Sequence, residues 1–136
     1  PQFHLRELSG DLKEQESEFK EIGSEMESKV AIAKNEMDQS LITEIADQVD
    51  IIFDEIRKQL IDERANVSSQ FDNAISKMKS TIKILKENNA TNEIPKLESE
   101  LSKLVEDYKT VLNEIDSSIE QLNQDQLEVI NSIKLQ

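Results

Sequence analysis

Cysteine and tryptophan are absent from the 136 residues, and there are only two glycines, two prolines, one histidine and one tyrosine. Without cysteine there can be no disulfide framework, no thiolate metal site and no cysteine nucleophile. With one histidine and no glycine-rich phosphate loop, most enzyme classes lack their parts, so no catalytic residue, metal ligand or cofactor is expected. A carboxylate metal bundle would normally add Glu-x-x-His pairs facing inward. Here His4 stands near the first residue and the acids lie off the apolar positions. No apolar run approaches the ~20 residues of a membrane span, and no signal-peptide pattern opens the sequence. A cytoplasmic location is therefore the default expectation. Cationic clusters are scarce too: the net charge is −13, which argues against nucleic acid and against an anionic membrane as partner. Pro1 is an unusual first residue and points to a piece of a longer protein.

What is abundant is Glu, Lys, Leu, Ile, Ser and Gln, the mixture of long helices and coiled coils. One break stands out, "KENNATNEIPK" at residues 86–96. Asn88 or Asn89 can end a helix, and Pro95 restricts Ile94 while suiting the first turn of the next helix. The expected order is a linker over 1–8, a long helix over 9–88, a loop over 89–94 and a returning helix over 95–134. Ser9 or Asp11 would cap the first helix, with Asp11 and Glu14 at capping-box spacing. Gly23 costs roughly 1 kcal/mol relative to Ala inside a helix, but Phe19, Ile22 and Met26 carry the apolar register through it.

The apolar stripe of the first helix opens with Leu12, Phe19, Ile22, Met26, Val30 and Met37. It continues through Leu41, Ile45, Val49, Ile52, Ile56 and Leu60, and closes with Val67, Phe71, Ile75, Met78, Ile82 and Leu85. Its ends step as heptads. Its middle contains 11-residue intervals, such as Leu41 to Ile52 and Ile45 to Ile56, which hold a helix pair nearly straight. The stripe is also a mirror of itself: Leu12 with Leu85, Met26 with Phe71, Leu41 with Ile56 and Ile45 with Ile52 all sum to 97. Such self-complementarity is what an antiparallel pair of identical chains needs, with its two-fold axis between Gln48 and Val49. Charge agrees. Residues 7–28 hold eight acids against two lysines, and residues 73–86 hold four lysines and no acid. Gln15 and Arg64 also fall on the stripe, as register-setting positions or, for Arg64, with the stem laid along the seam.

The second helix carries a plainer heptad seam: Leu97, Leu101, Leu104, Tyr108, Val111, Ile115, Ile119, Leu122, Val129 and Ile133, with Gln126 as its one polar position. The fold class expected is all-α: a long antiparallel homodimeric coiled coil, heptads flanking central hendecads, with a shorter second helix folding back toward the centre.

The stretch "FDEIRKQLIDERANVSSQFDNAISKMKSTI", residues 53–82, resembles the coiled-coil region of tripartite-motif (RING, B-box, coiled-coil) proteins. Its Phe-x-x-Ile-x-x-x-Leu-x-x-x-Arg run and its later Phe, Ile and Lys carry the likeness, which covers most of residues 9–134. The zinc ligands of RING and B-box domains are not among these residues. The resemblance implies a parent of the E3 ubiquitin ligase or scaffold type. Its own copy would be the partner, and other proteins would bind through flanking domains. This piece would be a non-catalytic homodimerisation scaffold, setting N-terminal domains at the ends of a rod and gathering C-terminal domains at its centre. The rival reading is a monomeric, spectrin-like three-helix bundle acting as adaptor or spacer, formed if the chain breaks near Asn35–Ser40 and folds twice.

Overall fold

The computed structural model describes the backbone over residues 5–35 and 39–135, and side chains at 14, 17–32 and 39–134. The described residues form three α-helices: α1 (Leu5–Asn35), α2 (Gln39–Glu87) and α3 (Ile94–Leu135). The all-helical class read from composition and periodicity is what the structure shows.

The single helix expected over 9–88 is corrected. Helix α1 ends at Asn35 and α2 begins at Gln39, with residues 36–38 outside the described residues. The rings of Phe19 and Phe53 lie 4.1 Å apart, centroid to centroid. In one straight helix the 34 residues between them would span about 50 Å. The chain therefore reverses, and α1 runs antiparallel to the start of α2. The sequence between the two helices contains neither Gly nor Pro. The start is corrected as well. Helix α1 begins at Leu5, so Ser9 and Asp11 stand inside it rather than capping it, and the linker expected over 1–8 overlaps its first turn.

The second boundary follows the sequence closely. Asn89 takes the left-handed conformation, with φ of 54°. The amide of Ala90 donates to the Leu85 carbonyl at 2.9 Å, and that of Asn89 to the Lys86 carbonyl at 3.3 Å. This pair of bonds is the Schellman motif, and asparagine is among the few residues that tolerate its left-handed position. On the far side of the turn the Leu97 amide donates to the Glu93 carbonyl at 3.1 Å, while Pro95, which has no amide hydrogen to donate, sits harmlessly in the first turn of α3.

The structure divides into two compact units. One comprises Ile61–Ile115, the end of α2 and the start of α3 joined by the Asn89 turn. There Phe71 and Tyr108 stack, centroids 5.0 Å apart and planes 4° from parallel. The other comprises His4–Leu60 with Asp116–Gln136 and brings together all three helices. Its core holds Val30, Val49, Phe53 and Ile133, each about 1% exposed.

Candidate functional site

In the three-helix unit, α2 must face two neighbours, and its sequence supplies two adjacent seams. Ile42, Ala46, Val49 and Phe53 are buried and step by 4, 3 and 4 residues, the spacing of one helix face. Beside them run Leu41, Ile45, Ile52 and Ile56, of which Ile45 is buried and the others half-buried. A helix that touches two others carries a broader apolar face than one that touches a single partner. Burying a side chain such as Phe53 contributes roughly 1.5–3 kcal/mol.

Helix α1 meets this face where Phe19 packs against Phe53; Met26 and Val30 on α1 are also buried and Ile22 is half-buried. Against α3 it approaches closely at Gly23. A Cβ built there would lie 3.5 Å from the Cγ2 of Val129, ordinary van der Waals contact. The helix continues through Gly23, as the register implied, and the position has room for a methyl group but lies close to Val129 of α3.

A polar clasp ties α2 to α3 in the same unit. The Arg57 guanidinium donates from Nε to Asn123 Oδ1 at 2.9 Å, from Nη1 to Asp54 Oδ1 at 2.7 Å, and from Nη2 to Gln126 Oε1. Gln126 in turn donates through Nε2 to Asp50 Oδ1 at 2.9 Å. Gln126 thus uses both ends of its amide, and the one polar position in the α3 seam gains a reason. Sliding α3 by one turn would strand these groups, so the clasp sets register as polar seam residues do in coiled coils.

Of the stripe expected at a dimer interface, Phe19, Met26, Val30, Ile45, Val49, Leu60, Val67, Phe71 and Ile82 are buried within the single chain. Ile22, Leu41, Ile52, Ile56, Ile75, Met78 and Leu85 are half-buried, while the side chains of Leu12 and Met37 lie outside the described residues. On α3, Val111, Ile115, Leu122 and Ile133 are buried. Leu97, Leu101, Leu104, Tyr108, Ile119 and Val129 are half-buried. Arg64 is half-buried, and the Gln15 side chain falls outside the described residues. Sequence reasoning missed Phe53, Ile42, Ala46 and Ala74. The first three share a heptad-like spacing through Val49 that a search for two parallel seams would have found.

Among the described residues no group of three or more His, Cys, Asp or Glu side chains is placed to hold a metal ion, and no helix is long and apolar enough to cross a membrane. Comparison of the chain with family models, curated proteins and solved structures returns no match.

Proposed function

We propose that the chain is a non-catalytic helical module that holds and spaces the segments attached to it, a bundle-type spacer or adaptor. The observation that carries this reading is the seating of α1 in cis: Phe19 meets Phe53 and Gly23 meets Val129 within one chain. A helix of this length with a buried apolar face gains its stability from tertiary packing, and a core of three helices from one chain would supply that packing. Binding would then act through exposed faces and through whatever precedes and follows the module. The test is molar mass in solution. A spacer of this kind sediments at the chain mass of 15.6 kDa, and a stable dimer at every accessible dilution contradicts it.

A second reading is favoured by a separate observation. Leu41 and Ile56, and likewise Ile45 and Ile52, stand symmetrically about the midpoint of Gln48 and Val49, and three of the four are only half-buried. An antiparallel homodimer about that midpoint would make the chain a dimerisation scaffold, cytoplasmic and tripartite-motif-like, within a parent of the E3 ubiquitin ligase type. The likeness of residues 53–82 to that family and the mirrored stripe support it. Sedimentation at twice the chain mass is its expected result.

A further inference from the structure

Where α1 passes α3, a groove of about 270 Å³ opens between them. Its floor is apolar, made by Phe19, half-buried Val129 and Gly23, which brings no side chain. A Cβ at Gly23 would meet Val129 at 3.5 Å, so space remains over the backbone there. The rim is acidic. Glu27 and Glu128 are exposed and Asp125 is half-buried, against a single cation, Lys20. Asp125 accepts a hydrogen bond from Gln121 Nε2 at 2.9 Å. Among the described residues, Glu27 and Glu128 have no ion-pair partner. A cavity of ~150 Å³ accepts a benzene ring, so this groove has room for one branched aliphatic side chain.

The opposite kind of surface stands at the end of α2. Ile84 is 57% exposed, while Phe71, Ala74 and Ile82 of the same helix are buried. It lies in the stretch 73–86, which holds four lysines and no acid, with Glu87 following directly. Lys77 stands seven residues before Ile84, two turns away on the same face, and Lys83 adjoins it. Lys86 is held to Glu98 at 3.3 Å, whereas Lys77 and Lys83 have no ion-pair partner among the described residues. We infer that Ile84 of one copy enters the α1–α3 groove of a second copy, with Lys77 and Lys83 set against the partner subunit's Glu27 and the partner subunit's Glu128. The two surfaces match in shape and in charge: a projecting aliphatic side chain among cations, and an apolar hollow with an acidic rim. The contact joins unlike surfaces, so it is heterologous and differs from the mirrored pairing of α2. It leaves the core of each chain closed and is independent of the dimer reading above. One side chain and two exposed charge pairs make it weak and dependent on concentration.

Sedimentation equilibrium over a concentration series at low salt reads the contact. The apparent mass should rise above 15.6 kDa with concentration. Ile84→Asp should weaken association about tenfold or more with circular dichroism unchanged, because the exposure of Ile84 keeps it out of the core. Glu27→Lys with Glu128→Lys reverses the groove, and Lys77→Glu with Lys83→Glu reverses the projection. Each double variant alone should stay monomeric at concentrations where the unaltered chain associates. An equimolar mixture of the two should associate, because the reversed groove of one meets the reversed projection of the other. An unaltered chain that stays at 15.6 kDa throughout overturns the inference, even if its groove takes up a foreign lysine-rich peptide. Association indifferent to Ile84→Asp, or a mixture that stays monomeric, places the contact elsewhere and overturns it as well. Antiparallel pairing of α2 would show that indifference, since Ile84 lies off the mirrored stripe.

Discussion

Phe19 on α1 and Phe53 on α2 meet edge to face, centroids 4.1 Å apart and planes at 75°, although 34 residues separate them. This contact fixes the direction of the chain after α1. Aromatic pairs in this geometry contribute roughly 0.5–1.5 kcal/mol beyond their buried area.

Phe53 is 1% exposed and its neighbour Ile51 is 58% exposed, one turn of sequence offering a buried and a solvated apolar residue side by side. Phe53→Ala should therefore cost about 3–5 kcal/mol through lost burial and the cavity left behind. Ile51→Ala should stay within about 0.5 kcal/mol. Urea denaturation followed by circular dichroism compares them directly. Equal effects would mean that Phe53 does not sit in a core.

Gly23 offers a test of the α1–α3 approach. Gly23→Ala should raise stability by about 0.5–1 kcal/mol, because helix propensity improves and the new methyl finds Val129 at ordinary contact distance. Gly23→Leu extends past that distance and should cost roughly 1–3 kcal/mol by overpacking. Thermal melts of the two variants should move in opposite directions. If both rise, α3 is not where α1 meets it.

Gln126→Leu should destabilise the protein by about 1–2 kcal/mol even though it makes the α3 seam uniformly apolar, because Arg57 and Asp50 each lose a partner. Arg57→Met with Gln126→Leu should cost less than the sum of the single changes, the signature of groups that act together. A double-mutant cycle in urea measures the coupling, and strict additivity would show that the clasp is a surface accident.

Charge is distributed unevenly. His4–Leu60 with Asp116–Gln136 hold nineteen Asp and Glu against eight Lys and Arg, a net of −11 out of −13 for the chain. Self-repulsion of that size weakens a compact state and is screened by salt. Raising sodium chloride from low to near-molar concentration should raise the melting temperature. A melting temperature that falls with salt would mean that ion pairs outweigh repulsion.

The sequence makes one boundary plain and hides the other. Asn88, Asn89 and Pro95 act through local geometry, a left-handed cap and a missing amide, so the α2–α3 turn is legible from residue types alone. Over residues 35–39 the sequence holds neither Gly nor Pro, and Met37 and Leu41 carry the apolar stripe onward as though the helix continued. The mirrored stripe adds to the ambiguity, since residues suited to a second chain are equally suited to a neighbouring segment of the same one. Phe53 escaped notice for a related reason. A stripe traced along a single seam follows its centre line and omits the residues that a third helix calls inward.

The most direct measurement is the distance within one chain between spin labels at Lys20 and Asp54, exposed positions one residue beyond Phe19 and Phe53. Each is replaced by cysteine in a chain that has no other, and labelled protein is diluted into unlabelled protein so that only intrachain pairs contribute. The closed arrangement predicts a narrow distribution near 20 Å, about two helix diameters. A distribution centred near 50 Å, the length of 34 residues of uninterrupted helix, would contradict it.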